Sequence, residues 1–355
     1  MTNQTPSAAL ALALFACWSA SSAARADDGP RVDQIRCEGH RAGPELGAGV
    51  QRVVVLFAWA KGSEEGAAAR ELLSALPSGP GLAVGVATRA EGFELPQAAV
   101  YESITVDGRS LRADRARVFA GDGEQLYAGD PRKPGFRAAL VRALRDAPGL
   151  GLGAKQERVQ RLAEEAREKG RCGKALRGAA RLEASGSQAE RTEAKELARR
   201  LRLNGERLLA LVEPELPVAA IELLDHVSEA FKGSPLGRRA LEQRRNLKRD
   251  RSFVAELTAA RLQRKLLELA LALQPCARCG GGGGSFGFED EEAEPVPSVS
   301  LTCAGCRQNN RRLTGALAAG FKRARSLRDT AAGQQIERLE EHLTKQAGVL
   351  RFGQK

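Results

Sequence analysis

The sequence predicts an α/β domain followed by an all-α region that carries a small cysteine-bearing insert. Three observations predict it. The continuous apolar run Val53-Val54-Val55-Leu56-Phe57 precedes a stretch with helical spacing, the order of a buried strand and its crossover helix. From Lys155 to Gln274 apolar residues recur three and four apart, the period of helices that bury one face. Two C-x-x-C pairs, C-A-R-C at Cys276 and Cys279 and C-A-G-C at Cys303 and Cys306, then interrupt that pattern.

A chain of 355 residues exceeds one ordinary core and predicts two or three domains. Only 4% of residues are aromatic, and Ala, Leu, Arg, Glu and Gly dominate. That balance suits helices packed through small residues and argues against an all-β fold.

Residues 8–24 carry no charge and open with A-A-L-A-L-A-L-F-A, and Ala24-Arg25-Ala26 supplies a small-x-small cleavage pattern. This predicts a signal peptide over residues 1–26 and an exported protein, periplasmic or secreted. Leu14-Phe15-Ala16-Cys17 resembles a bacterial lipoprotein box. That resemblance implies acylation at Cys17 and a lipid-anchored, cell-envelope protein, so cleavage and lipidation both stand as readings. A membrane is expected as a partner only through such a lipid.

The first domain is expected over residues 30–148. After the strand at 53–57, Glu64 to Leu76 places Ala67, Ala68, Leu72, Leu73 and Leu76 at helical spacing, and L-A-V-G-V-A-T over 82–88 reads as the next buried strand. Residues 117–120 and 124–127 flank the turn Gly121-Asp122-Gly123, and Pro134 to Arg145 closes the unit as a helix. Strand, helix, strand, hairpin, helix resembles the thioredoxin and peroxiredoxin superfamily over about 110 residues. V-V-V-L-F-A-W is similar to its strand leading into the active-site turn. In active relatives that turn carries a C-x-x-C at a helix start. Here it reads Ala60-Lys61-Gly62-Ser63-Glu64-Glu65, with Gly62 and Glu65 in the cysteine places. Arg115 and Ala116, rather than the family's proline, precede Arg117. The resemblance therefore implies a thioredoxin-like domain with a degenerate redox turn, serving as a scaffold or binding domain.

The second region, 152–275, is broken at Gly170, Ser185-Gly186-Ser187, Pro214, Pro217 and Gly233-Ser234-Pro235, which predicts about six helices. Lys169 to Leu176 resembles the corner of a tetratricopeptide repeat, with Gly170 at the bend and Ala175 at the close packing point. Ala220 to Ala240 is similar to repeats of bacterial envelope assembly proteins. A tetratricopeptide-like helical-repeat domain implies protein partners; a plain helical bundle is the alternative. This region holds 26 Lys or Arg against 18 Asp or Glu, most of the net charge of +11. The charges interleave with the apolar period, as on a solvated helix surface, and nucleic acid is not expected as a partner.

Four thiols at the spacing of Cys276, Cys279, Cys303 and Cys306 form a tetrahedral set for one structural Zn²⁺, closed to substrate. Disulfides, structural or redox, are the competing reading in an oxidising compartment. C-A-R-C-G-G-G-G resembles the C-x-x-C-x-G-x-G repeat of the DnaJ zinc module, and the second pair lacks those glycines, so a zinc-ribbon-like module is expected over 276–310. The acidic run Glu289 to Glu294 reads as a solvated loop, with Ca²⁺ as the weaker alternative. A C-terminal helix is expected over 311–347, broken at Gly333 and packed back on the helical domain. Cys37 and Cys172 remain as a candidate disulfide or as free thiols. His40, His226 and His342 lie in three separate segments without a catalytic motif, and no Lys-Ser or Lys-Thr follows the glycines from Gly280.

The expectation is an exported, non-enzymatic scaffold or protein-binding protein with a structural zinc site. The alternative is a thiol-disulfide oxidoreductase or redox-sensitive chaperone that cycles the C-x-x-C pairs.

Overall fold

The structure is a computed structural model that describes residues 32–42, 46, 52–60, 62–90, 93, 95, 98–112, 115–147, 152–278, 284–286, 294–296, 299 and 303–346. The segment expected as a signal peptide, Cys17, Lys61, Cys279 and most of the acidic run lie outside these residues. The chain divides into two compact units, Met1–Gly151 and Leu152–Lys355.

The first unit is a mixed sheet with helices. Its strands are β1 (Ile35–Ala42), β2 (Val53–Ala58), β3 (Leu82–Ala87), β4 (Ala98–Val106), β5 (Arg109–Ser110), β6 (Ala116–Phe119) and β7 (Gln125–Gly129). Helices α1 (Glu64–Ser74) and α2 (Pro134–Arg145) follow β2 and β7. The sheet runs β1-β4-β3-β2-β6-β7, with β5 on β4. Its centre, β2 with β3 and β3 with β4, is parallel, and the outer pairings are antiparallel. All six residues of β2 are buried, which is why its sequence is apolar without alternation. Val54, Leu56 and Ala58 join one core with Ala83, Tyr101, Ile104 and Phe119, while Val53, Val55 and Phe57 point to the opposite face. α1 packs along β2, and α2 along β6 and β7.

Strands β1 and β4 and the short β5 are additions to the expected order. β4 opens with small Ala98 and Ala99 and then alternates with polar residues, so its apolar signal is weak. The turn after it was readable: Asp107 and Gly108 both take positive φ, 53° and 68°, the D-G signature of a two-residue hairpin.

The second unit is helical: α3 (Glu157–Arg167), α4 (Cys172–Ser185), α5 (Gln188–Ala210), α6 (Pro217–Ala230), α7 (Pro235–Arg249) and α8 (Arg251–Leu271), then α9 (Ala304–Ala324) and α10 (Ala331–Gln346). A short hairpin, β8 (Gly284–Phe286) with β9 (Glu294–Val296), stands between α8 and α9. Consecutive helices from α3 to α8 pack as neighbours. Their junctions carry stop and start chemistry. Gly170 has φ +62° and Gly233 φ +77°. Ser187 and Glu190 close a capping box on α5, and Asp250 accepts from the N–H of Ser252 at 2.9 Å to start α8. A methyl built on Gly173 would run into the Lys232 carbonyl, so α4 meets the turn between α6 and α7 at backbone distance.

The last three helices share one core. Leu266 and Ala270 of α8 with Leu273 pack against Leu317 and Phe321 of α9 and Ile336, Leu339 and Leu343 of α10. The Glu256 carboxylate of α8 accepts from the N–H groups of Ala331 and Ala332, at 3.0 and 2.8 Å, tying down the start of α10. Two boundaries differ from expectation. The break falls at residues 325–330 instead of Gly333, because Thr330 caps α10 and Gly333 sits in its first turn, accepted by Thr330 Oγ1 at 2.9 Å. α9 also begins at Ala304, well before residue 311, which puts the second cysteine pair on a helix start.

Candidate metal centre

Helix α9 positions two of the thiols. Cys303 is its N-cap residue and Cys306 lies in its first turn, so both residues sit at the end of the helix where backbone N–H groups lack helical acceptors. That end carries partial positive charge and favours anionic ligands. Cys276 arrives from the segment that leaves α8. Its Sγ lies 3.4 Å from Cys303 Sγ, and its backbone N–H donates to Cys306 Sγ at 3.3 Å. The three sulfurs all lie within 4.8 Å of one another. Cys306 is fully buried, whereas Cys276 and Cys303 are half-buried.

This geometry has two supports. The first is Gly305: a Cβ there would lie 3.2 Å from Cys276 Cβ and 3.4 Å from its Sγ, so the missing side chain lets the first knuckle approach α9. The second is Asn310, completely buried. Its Oδ1 accepts from the Gln274 N–H at 2.8 Å, and its Nδ2 donates to the Gln274 carbonyl at 2.7 Å and the Cys306 carbonyl at 2.8 Å. One amide therefore clamps the segment before Cys276 onto the helix that bears Cys303 and Cys306. Buried polar groups satisfied in this way fix a single arrangement.

Three thiols at these separations are close enough to bind a metal ion. A tetrahedral ion with metal–sulfur bonds of about 2.3 Å sets its sulfurs about 3.8 Å apart, and the observed spacing fits that with small adjustments. Cys279, the fourth predicted ligand, follows Arg278 outside the described residues. Asn310 was not among the predicted site residues, yet a signal existed. It stands four residues after Cys306, on the same helix face once 304–310 is read as helical.

The turn at residues 60–65, expected as a degenerate redox turn, is also a helix start, and its sequence holds no sulfur. Ser63 is the N-cap of α1 and accepts from the Gly66 N–H at 3.0 Å. Gly62 has φ +86°. No cysteine stands at Gly62, Ser63, Glu65 or Gly66. Arg132 instead bridges Glu64 at 3.0 Å, Glu65 at 2.8 Å and Asp130 at 2.8 Å; its hydrogen bond holds the Asp130 carboxyl below the usual range. An open groove of about 630 Å³ runs beside this turn, lined by Trp59, Ser63, Ala67, Arg70 and Leu95. Trp59 packs on Phe93 at 5.1 Å, and the Arg70 guanidinium lies 5.7 Å from that ring.

Of the other singled-out residues, Cys37 lies half-buried in β1 and Cys172 is buried at the start of α4, in different units and both as free thiols. Burial pushes the Cys37 thiol up to about 11 and the Cys172 thiol up to about 12, which makes both poor nucleophiles. His40 is exposed on β1 beside Tyr101, and His226 is half-buried on α6. Among the described residues no helix is long and apolar enough to cross a membrane. Comparison with known proteins returns no matching family model, no matching curated protein and no matching solved structure.

Proposed function

We propose that this chain is an exported scaffold or protein-binding protein whose C-terminal helices are pinned by a structural zinc ion. The observation that carries the reading is the convergence of Cys276, Cys303 and Cys306 at the end of the α8–α9–α10 core. Cys279 completes a four-thiolate set, which leaves no position open for substrate and gives the ion a structural rather than catalytic part. The first unit serves as a thioredoxin-like domain without thiol chemistry, since Ser63, Glu65 and Arg132 occupy its helix start. The helices before Gln274 are tetratricopeptide-like and offer surface to protein partners. The protein is exported, periplasmic or secreted, or held at the cell envelope by a lipid on Cys17.

The test is metal analysis of full-length protein purified without oxygen, with thiol titration before and after chelation. One zinc per chain is expected, with four thiols unmasked by the chelator. Far less than one equivalent, with both C-x-x-C pairs oxidised, sinks the reading. The second reading, a thiol-disulfide oxidoreductase or redox-sensitive chaperone, is favoured by one observation: Cys276 and Cys303 are partly accessible and adjacent.

A further inference from the structure

The three sulfurs of the metal centre are not equivalent. Cys306 is fully buried and its Sγ already accepts the Cys276 N–H. Cys276 and Cys303 are half-buried, and their sulfurs are 3.4 Å apart. A disulfide bond is about 2.0 Å long, so these two sulfurs need only a small side-chain movement to join. Gly305 has no side chain to stand between them: a Cβ built there would lie 3.2 Å from Cys276 Cβ, 3.4 Å from its Sγ and 3.8 Å from Cys303 Sγ. Asn310 links the two segments that carry them, through Gln274 on one side and Cys306 on the other.

We propose that Cys276 and Cys303 are a peroxide-sensitive switch across the two knuckles, whose disulfide opens the metal centre. The inference rests on the zinc reading above and specifies how that site is regulated. One thiolate attacks a peroxide oxygen; the O–O bond breaks, a sulfenic acid forms and hydroxide leaves. The second thiolate attacks that sulfur; the S–S bond forms, the S–O bond breaks and a second hydroxide leaves. The two sulfurs give up two electrons and the peroxide takes them. The site loses two ligands at once, while the new disulfide ties the segment after α8 to the start of α9 in place of the metal.

The experiment uses the full chain, with zinc measured before any oxidant is added, so that step tests the metal reading alone. Hydrogen peroxide is then added in small excess, zinc release is followed with a chromogenic chelator, and unreduced tryptic peptides are mapped by fragmentation mass spectrometry. Cleavage after Lys265, Arg278 and Arg307 puts Cys276 on the peptide 266–278 and Cys279, Cys303 and Cys306 together on 279–307. The expected result is one zinc released per two thiols lost, with the two peptides joined through Cys276 and Cys303. Cys303→Ser should abolish that link. A loop within 279–307 closed by Cys303 and Cys306, a link through Cys279, or a loaded protein that keeps its zinc and its thiols would each overturn the switch while leaving the zinc reading intact.

Discussion

Helix α1 in the first unit and helix α9 in the second each present an N-terminus with backbone N–H groups that need acceptors, and the two are furnished with different chemistry. At α1 a hydroxyl does the capping, with Ser63 Oγ accepting from Gly66, and carboxylates and Arg132 surround it. At α9 the cap residue is Cys303, whose side chain makes no cap hydrogen bond, and the sulfurs of Cys276 and Cys306 stand beside it. A helix start is thus a general device for negative charge, and the residue types placed on it decide its use. An oxygen cap ends the matter locally. Sulfurs at the same place need a partner brought from elsewhere, here from a segment 30 residues earlier in the chain.

The sharpest way to break this comparison is to remove a sulfur. Cys306→Ser puts a weak ligand in the fully buried position of the centre. A structural zinc contributes roughly 10 kcal/mol or more to the fold of the segment it closes, so the variant should bind almost no zinc. By hydrogen exchange, protection should fall through α9 and α10 and remain unchanged in β2 and β3. Protection kept in α9 with zinc absent would mean that the helical core, not the metal, holds this end of the chain.

A smaller effect is expected when the ligands stay and their support goes. Asn310→Ala leaves the part-buried Gln274 N–H and carbonyl without their partner, at a cost of about 1 kcal/mol for each hydrogen bond lost. Loss of such an outer support lowers metal affinity about 10- to 100-fold, measurable by competition with a chelator of known affinity. Cobalt substituted for zinc should show an altered visible spectrum in the variant, which a change in global stability would not produce.

The smallest effect belongs to the other helix start. Ser63→Ala removes one capping acceptor, about 1 kcal/mol, and should lower the stability of the first unit without moving the zinc content. Melting followed by the near-ultraviolet signal of Trp59 reads the first unit, since the other tryptophan, Trp18, lies in the expected signal segment. A change in metal binding in this variant would show that the two helix starts are coupled.

Much of the local structure was legible because its signals are local. The apolar run of β2, the period of α1 and the breakers at Gly170, Gly186 and Gly233 lie at the boundaries where the elements are found. What escaped needed distant partners or weak signals. β4 is a strand because β3 lies parallel on one side and β1 antiparallel on the other, and its small and polar residues say little alone. The start of α9 was placed late because Q-N-N-R-R carries no apolar period, and with it went the sight of Cys303 and Cys306 on a helix.

The sequence by itself determined that four thiols are available in two pairs, that no thiol stands at the α1 turn, and that a mixed α/β unit precedes a helical one. Each of these is a matter of residue type or of period within a few turns. Only the tertiary structure decided that the sulfurs of Cys276 and Cys303 lie 3.4 Å apart, that Cys306 is the buried member, and that Asn310 joins the two segments. The physical reason is that these facts depend on where α8 ends relative to where α9 begins. That is set by the packing of Leu266, Leu317, Phe321 and Leu339 in a shared core, a sum of contacts between residues too far apart in the chain for any local pattern to record.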